Sequence, residues 1–410
     1  MGIQMLPVHH LNIICLIMSK LNLVIDFNNI AMRALFSCQY SGGDQPVANF
    51  DTDEECAVLL RKMATDVAYV MRLFNPSRTI FVCDSYHPWR ETLYSDIDNE
   101  GYKGTRHKDE NKNWDKIWAA WNEFKTILKN KGFVVIEIAS AEADDLAALW
   151  KETIISNNES VVLVSSDRDW TQLVDFKNNN CCLCFNPIAN NKAKKKLYLT
   201  KECNDWLFSD LKTTDIFFTN YNSLKDDLAK LLTKDTKIEF EIINPEYVAL
   251  NKVMCGDDGD NAPSIYEYYK NGKKVRMTEL RSKKVFESLN ISNIHDLCES
   301  SASGELKTAI EKLFKITLDN IDMDARVMRQ RKLVELNSML FPQEIVQTFN
   351  CVVDDNRNAG FVSVGNIKME DILKDTKYLT KDFRKPKVNS IFDNLQDLDK
   401  FIKPLNSGLF

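Results

Sequence analysis

Four short apolar runs, rich in β-branched residues, alternate with longer segments along the first half of the chain. They are LNLVID (21–26), TIFVCD (79–84), FVVIEIA (133–139) and VVLVSSD (161–167). Each run is nearly continuously apolar, which is typical of strands that are buried on both faces, and such strands form parallel sheets covered by helices. We therefore predict an α/β domain over residues 21–200, with a mainly parallel central sheet flanked by helices.

The segments between these runs have helical features. Thr52 and Glu55 have the spacing of a capping box ahead of an apolar-periodic segment that stops before Pro76. A Trp-rich helix is expected from about Trp114 to Lys131, and another over AEADDLAALWKETII after the third run. The segment CCLCFNPIANNKAKKKLYLT predicts a β-hairpin with a basic turn.

The rest of the chain divides by composition into four parts. They are an N-terminal extension (1–20), an insertion of unknown role (201–250), a mostly helical region (251–350) and a polar tail (351–410). Met18 opens directly into the first predicted strand, so we expect residues 1–17 to be dispensable.

Composition excludes several classes of protein. The five histidines lie in no nucleophile motif with serine or cysteine, which disfavours a serine or cysteine hydrolase. The eleven cysteines are irregularly spaced, which predicts a reducing compartment such as the cytoplasm and no paired C-x-x-C zinc site. The N-terminal apolar run LNIICLIM is too short to span a bilayer, so no membrane partner is expected.

Acidic residues stand at the end of each predicted strand or in the first turn of the following helix. They are Asp26, Asp84, Glu142, Asp144, Asp145, Asp167 and Asp169. The carboxyl ends of parallel strands meet at one edge of a sheet, where ligands bind, so we expect these acids to converge on one crevice. Taken singly, each acid could instead cap a helix or interact with its dipole.

Several anions in one crevice cost several kcal/mol per uncompensated charge, and the acidic motifs hold no matching set of lysines or arginines. Hard divalent cations such as Mg²⁺ or Mn²⁺ prefer carboxylate and water oxygens and would offset this cost. Asp257 and Asp260, in CGDDGDNAPS, would complete such a site from a neighbouring element, although an Asp–Gly turn is the structural alternative. Two-metal sites of this composition hydrolyse phosphodiesters.

A basic and aromatic stretch, WRETLYSDIDNEGYKGTRHK, follows the second strand. It contains Arg90, Lys103, Arg106 and Lys108 among aromatic residues that include Tyr102. Such side chains suit a nucleic-acid backbone and unstacked bases. A solvated loop would have a similar composition, but the position directly after Asp84 favours a role over the acidic edge.

The motifs VIDFNNIA, FVCD, EADDLAAL, SSDRDWTQL and GDDGDNAPS, in this order, resemble those of the structure-specific 5′ nucleases, the flap endonuclease family. Within it they are most similar to the ribonuclease H group of T-even bacteriophages. The resemblance covers about 21–200 and 251–345. It implies a PIN-like nuclease core, an arch or bridge region at about 85–131, and a helix-hairpin-helix-like DNA-binding element in the helical region.

The resemblance also implies roles for individual residues. One of two Mg²⁺ ions, for which Mn²⁺ could substitute, would be held by Asp26, Asp84, Asp144 and Asp167. The second would be supported, largely through water, by Glu142, Asp145, Asp169, Asp257 and Asp260. Lys103 and Arg90 would join Asp144 and Asp167 in catalysis, and the nucleic acid would be bound by Arg90, Tyr102, Lys103, Arg106, Lys273, Lys274 and Arg276.

The chain departs from the family pattern in three places. The segment after GDDGDN lacks the glycine-rich G-x-G-x-K hairpin, which argues against a potassium site there. The spacing between Arg90 and Lys103 is enlarged by SDIDNEG, which affects the placement of Lys103. The block 201–250 has no counterpart in the phage enzymes.

The resemblance implies a monomeric Mg²⁺-dependent 5′–3′ exonuclease and flap endonuclease. Its partners would be DNA and RNA–DNA duplexes with 5′ ends or flaps, as in removal of lagging-strand RNA primers in phage replication. A non-catalytic nucleic-acid-binding scaffold with a degenerate metal site is the alternative. An aspartyl-phosphate phosphatase is disfavoured because Asp26 is followed by Phe27 and Asn28 rather than by a second Asp in D-x-D.

The tail carries short apolar peptides that suit a groove on a sliding clamp or a single-strand-binding protein. The residues expected to bind such a partner are Ile391, Phe392, Leu395, Leu409 and Phe410. A terminal helix packed on the domain would explain the first three equally well.

Overall fold

The structure is a computed structural model of the chain. It describes residues 21–39, 48–93, 101–104, 106, 109–188, 194–208, 238–270, 273–319, 321–356 and 359–360. The predicted N-terminal extension and most of the predicted insertion lie outside these residues. So do the predicted partner-binding residues, which are Ile391, Phe392, Leu395, Leu409 and Phe410.

Within the described ranges, eight strands form one mixed sheet. They are β1 (Leu21–Asp26), β2 (Arg78–Val82), β3 (Val134–Ile136), β4 (Ser160–Val164), β5 (Asp175–Lys177), β6 (Asn180–Asn186), β7 (Lys195–Leu199) and β8 (Ile238–Ile242). Their order is β3-β2-β1-β4-β6-β7-β8, with β5 paired to β6. Only the β5–β6 and β6–β7 pairs in this sheet are antiparallel. The prediction of a mainly parallel sheet flanked by helices is therefore confirmed.

The described helices follow the strands in the expected alternation. They are α1 (Phe27–Gln39), α2 (Asp53–Phe74), α3 (Trp114–Asn130), α4 (Ala143–Ser156), α5 (Lys201–Phe208), α6 (Pro245–Cys255), α7 (Glu279–Leu289), α8 (Ile294–Ala302), α9 (Glu305–Phe314), α10 (Met323–Val334) and α11 (Gln343–Asp355). Short 3₁₀ turns cover Trp89–Leu93, Arg168–Leu173 and Ser338–Leu340. No described helix has both the length and the apolar character needed to cross a membrane.

Successive side chains of β1 contribute to cores on opposite faces of the sheet. Leu23 and Ile25 pack in a cluster with α1, α2 and α3, whereas Val24 packs in a second cluster with α4 and α11. All three side chains are completely buried. Burial on both faces is the physical reason why this run shows no polar alternation.

The start of α2 confirms the predicted capping box. The Thr52 hydroxyl accepts a hydrogen bond from the Glu55 backbone N–H at 3.2 Å, and the Glu55 carboxylate accepts one from the Thr52 N–H at 3.0 Å. These bonds satisfy backbone donors that would otherwise lack a partner at the helix start.

Two boundaries differ from those predicted from the sequence. The third strand covers only Val134–Ile136, whereas 133–139 was expected, because the chain turns there toward α4. The end of the predicted insertion is part of the sheet, since β8 pairs in parallel with β7. The predicted hairpin after the fourth strand is confirmed by the antiparallel pairing of β6 with β7.

The helical region has its own core, which is built mainly from α6 to α10. Between α6 and α7 in chain order lies an antiparallel hairpin, β9 (Glu267–Lys270) and β10 (Lys273–Arg276). Helix α11 then returns to the sheet, where the Phe349 ring meets Trp150 of α4 at a centroid distance of 5.3 Å. The two parts of the chain therefore pack against each other.

Gly256 ends α6 and begins the turn that carries Asp257 and Asp260. Its φ of 69° and ψ of −162° lie in a region that is essentially restricted to glycine. A Cβ at this position would lie 2.3 Å from the carbonyl oxygens of both Ala262 and Pro263. The turn can therefore close only around a residue without a side chain.

We expect Gly256→Ala to lower the free energy of unfolding by roughly 3 kcal/mol or more, because a clash with backbone adds to the 1–3 kcal/mol of strain. Gly304→Ala is the matched control, since Gly304 also has a positive φ, of 81°, but a Cβ there meets nothing within 4 Å. Urea unfolding followed by circular dichroism measures both. An equal loss in free energy of unfolding in the two variants would show that the close contacts around Gly256 add nothing to the cost of its positive φ.

Candidate active site

The ends of three adjacent parallel strands bring acidic side chains to one edge of the sheet. Asp26 is the last residue of β1, Asp84 lies two residues beyond β2, and Asp167 lies three residues beyond β4. Asp144 joins them from the first turn of α4. The convergence of these four carboxylates, which the strand pattern predicted, is thus present in the fold.

Hydrogen bonds from neighbouring segments orient these carboxylates. The Ser165 hydroxyl donates to Asp26 Oδ2 at 2.8 Å, and the Ala143 N–H donates to Asp84 Oδ1 at 2.8 Å. Asp144 Oδ1 accepts from the Trp170 indole N–H at 2.6 Å. Each carboxylate is thereby held by an element other than its own.

The carboxylates also raise one another's pKa. Burial and then the charge of Asp84 raise the pKa of Asp26 from 3.8 to about 7. Burial and then Asp167 raise the pKa of Asp144 well above its usual range, and burial likewise raises the pKa of Asp84. The ionised forms are therefore disfavoured unless a positive charge is supplied.

Glu142 lies at the same edge of the sheet, but its pKa is lowered rather than raised. Burial alone would raise its pKa, but Arg90 and Lys103 lower it below the usual value. The Arg90 guanidinium lies 2.6 Å from Glu142 Oε2, Lys103 forms an ion pair with Oε1, and the Tyr102 hydroxyl donates to Oε2 at 3.0 Å. Glu142 is thus ionised and already surrounded by donors.

Arg90 and Asp145 form a buried pair behind this edge. The guanidinium lies 2.7 Å from Asp145 Oδ1 and stacks over the Trp89 ring at 4.7 Å, and the Trp89 indole N–H donates to Asp145 Oδ2 at 3.0 Å. Asp145 Oδ2 also accepts from the backbone N–H of Glu142 at 3.1 Å. Arg90 is 2% exposed and Asp145 is completely buried.

This burial bears on two of the predicted roles. Arg90 was expected to take part in catalysis and to bind the nucleic acid, and its guanidinium is enclosed and paired with two carboxylates. Asp145 was expected to support a metal through water, but both of its oxygens face protein donors. Their geometry makes them positioning residues, because they hold Glu142 and the start of α4 in place.

The short segment 101–104, with Arg106, lies across the acidic edge and against the turn after α6. The Lys103 N–H donates to the Asp260 carbonyl at 3.0 Å, and the Tyr102 hydroxyl donates to Asp260 Oδ2 at 3.2 Å. Arg106 forms an ion pair with Asp260 and donates to the Gly259 carbonyl at 3.1 Å. Arg106 and Asp260, which are 154 positions apart in the chain, are therefore direct neighbours.

Lys252 is a site residue that sequence reasoning missed. It lies in the last turn of α6, and its ammonium pairs with Asp169 at 2.5 Å and also with Asp257. Burial, and then the other acids, give Asp169 a pKa of about 7, although Lys252 opposes this rise. The sequence feature that could have pointed to Lys252 is its position five residues before Asp257, on a helix that ends at the acidic turn.

The basic residues predicted to bind duplex lie on the hairpin. Lys273 and Arg276 begin and end β10. Arg276 pairs with Asp258 and donates to the Cys255 carbonyl, while Lys273 is exposed. Lys274 belongs to the same strand, but its side chain lies outside the described atoms.

Across the described ranges, no three acidic, histidine or cysteine side chains are arranged to hold a metal ion. The acids instead pair with Arg90, Lys103, Arg106 and Lys252 or with backbone N–H groups. In donor type the set nevertheless fits a hard divalent cation, because it offers neighbouring carboxylate oxygens whose mutual repulsion a cation would relieve. The residues therefore suit such an ion by chemistry and charge.

Comparison with known proteins agrees with this architecture. Residues 21–203 match the family model described as the 5′-3′ exonuclease N-terminal, resolvase-like domain. This part of the chain is therefore similar to the N-terminal domain of 5′–3′ exonucleases. The matched, nuclease-like domain comprises the sheet up to β7 together with the acids at its edge.

The flap endonuclease Xni of Psychromonas ingrahamii is 27% identical to this chain over 154 residues, which are 37% of this chain and 53% of that protein. The match thus spans about half the length of that relative. A zinc-bound 5′-exonuclease of bacteriophage T5 superposes with a TM-score of 0.48 at 14% identity, covering 82% of this chain and 99% of that one. A T5 flap endonuclease complex with DNA and metal ions gives 0.46 at 15% identity, covering 83% and 100%.

Replacement of Arg90 by methionine would leave Glu142 and Asp145 buried without their cation. We expect this change to lower the free energy of unfolding by about 3–5 kcal/mol. Arg106→Met is the control, because the Arg106 side chain is 56% exposed in its ion pair with Asp260, and a loss of about 1 kcal/mol or less is expected there. Urea titration distinguishes them, and a small loss in both would contradict the buried role of Arg90.

The raised pKa of Asp26 predicts a pH dependence. Between its ordinary value of 3.8 and about 7, the folded protein retains a proton that the unfolded chain has lost. The free energy of unfolding should therefore fall as the pH rises through this window. A divalent cation must displace this proton, so it should stabilise the protein more above pH 7 than below it.

Thermal unfolding with Mg²⁺ and with EDTA, at about pH 5.5 and about pH 8, tests this prediction. The rise in melting temperature caused by Mg²⁺ should be larger at the higher pH. Asp26→Asn should reduce both the pH dependence without cation and the response to Mg²⁺. An equal response at the two pH values would contradict the assignment.

Proposed function

We propose that the chain is a divalent-cation-dependent 5′ nuclease, a 5′–3′ exonuclease and flap endonuclease. It would hydrolyse phosphodiesters in DNA and RNA–DNA duplexes that have 5′ ends or flaps. The observation that carries the proposal is the convergence of acids from four segments beneath a basic segment that lies across them. A phosphodiester backbone needs both features, since it is an anion that must be bound and then cleaved.

The proposed ion sites use the acids according to their positions. Asp26, Asp84, Asp144 and Asp167 would hold one Mg²⁺, which Mn²⁺ could replace. A second ion would be supported by Glu142, Asp169, Asp257 and Asp260. When bound, such ions neutralise the charge of the phosphate and lower the pKa of a bound water.

Basic side chains would bind and orient the substrate. Lys103 and Arg106 are 24% and 56% exposed and already lie at the acidic edge, so they can reach a phosphate placed there. Of the two, Lys103 would act in catalysis, because its ammonium would stabilise the negative charge that develops on the phosphate during cleavage. Tyr102, which donates to Glu142 and Asp260, would orient these acids.

The hairpin of β9 and β10 would bind the duplex away from the cleavage point. Lys273, Lys274 and Arg276 would contact backbone phosphates, and such binding should weaken with salt. The hairpin and its flanking helices would serve as the helix-hairpin-helix-like element.

The products of cleavage would carry 5′-phosphate and 3′-hydroxyl ends. The protein would act as a cytoplasmic monomer and would remove RNA primers during phage DNA replication. The tail would bind a clamp or single-strand-binding protein.

The test is cleavage of a 5′-labelled flap and of a nicked RNA–DNA hybrid, with Mg²⁺ and with EDTA. Asp144→Asn and Asp167→Asn should each reduce the cleavage rate by more than the roughly 10–100-fold that changes outside the ligand shell cause. Binding measured by fluorescence anisotropy in EDTA should be largely retained, because the basic segment and hairpin are unchanged.

Asp175→Asn is the control, because Asp175 pairs with Lys151 at 2.7 Å and belongs to no proposed ion site. Its cleavage rate should equal that of the unmodified protein. Full activity in Asp144→Asn or Asp167→Asn would contradict the proposed function. Binding without any cleavage by the unmodified protein would favour the non-catalytic scaffold.

A further inference from the structure

Lys252 occupies the space between two acids that come from different parts of the fold. Its ammonium lies 2.5 Å from Asp169 Oδ1 and forms a second ion pair with Asp257. Asp169 follows β4 in the nuclease domain, whereas Asp257 lies in the turn after α6. A single positive charge therefore joins the sheet edge to the helical region.

The three groups are screened little by solvent. The side chains of Lys252, Asp169 and Asp257 are 23%, 12% and 21% exposed. Burial would lower the pKa of Lys252, but Asp169 and Asp257 raise it above its usual value, so the ammonium stays charged. Without this ammonium, two partly buried carboxylates would face each other uncompensated.

We propose that Lys252 is an internal counter-ion of the Asp169–Asp257 pair and that a divalent cation bound there must displace it. The inference rests on the proposed function, because it takes these two acids as supports of an ion. A dication and an ammonium cannot share the space between the same oxygens, since like charges repel at this separation. The two occupants are therefore mutually exclusive.

The chemistry of lysine suits such an exchange. Its charge is a compact ammonium on a flexible four-carbon stem, which can withdraw without moving the backbone of α6. In the cation-free protein, Lys252 relieves the repulsion between Asp169 and Asp257. A cation that binds there must first break the ion pairs of Lys252, and this lowers its net affinity. By linkage, Lys252 lowers the affinity for the cation as much as the cation weakens the hold on Lys252.

The first test is Mn²⁺ binding measured by electron paramagnetic resonance on the full chain without nucleic acid. Lys252→Met should raise the affinity of the weaker class of Mn²⁺ sites about tenfold, within the usual range of coupling between sites. Lys151→Met is the control, because Lys151 is 20% exposed and pairs at 2.7 Å with an acid outside the site. Its Mn²⁺ affinities should equal those of the unmodified protein. Unchanged or weaker binding in Lys252→Met would overturn the proposal.

The second test uses the unmodified protein and does not depend on the folding of a variant. Reductive methylation followed by mass spectrometry reports how accessible each lysine amine is. Saturating Mn²⁺ should increase the labelling of Lys252 severalfold and leave that of Lys151 unchanged. Mn²⁺ binding with no change at Lys252 would overturn this inference alone. Failure of Mn²⁺ to bind at all would overturn the proposed function, and this inference with it.

Discussion

The close approach of carboxylates at the carboxyl edge of the sheet is the constraint on which the rest of this site depends. The pKa values of Asp26, Asp84 and Asp144 are all raised, first by desolvation and then by neighbouring carboxylates, so the edge is unstable as a fully ionised cluster. Strand pairing nevertheless forces them together, because adjacent parallel strands end at the same level. The fold compensates with positive side chains taken from elements on every side.

These compensating charges also join the two parts of the molecule. Lys103 bonds through its backbone to Asp260 and through its ammonium to Glu142, and Lys252 reaches from the helical region to Asp169. Arg90, whose guanidinium lies 5.9 Å from the Phe341 ring, adds a contact with the C-terminal part of the chain. Packing of the nuclease-like domain on the helical region therefore brings the side chains of the site together. A chain lacking the helical region would retain the acids but lose Lys252 and Asp260.

Local patterns account for what could be predicted. The continuously apolar runs that end at Asp26 and Asp84 predict buried strands, and the spacing of Thr52 and Glu55 predicts the start of a helix. The same reasoning could not foresee the burial of Arg90, because composition shows that a residue is charged but not whether it is enclosed. Burial depends on Trp89 and Phe341, which reach Arg90 from opposite directions in the chain.

The sequence by itself determined the parallel α/β core and the acids at its edge, since both follow from short-range periodicity and from the geometry of parallel strands. It also placed the hairpin of β6 and β7 and the family motifs in their order. Only the tertiary structure decided which cation meets which acid. The partners of Glu142 and Asp260 lie 39 to 158 residues away along the chain, and the partner of Asp169 lies on another element. Such pairs are selected by packing and by the cost of burying an uncompensated charge, and neither is written in any local stretch of residues.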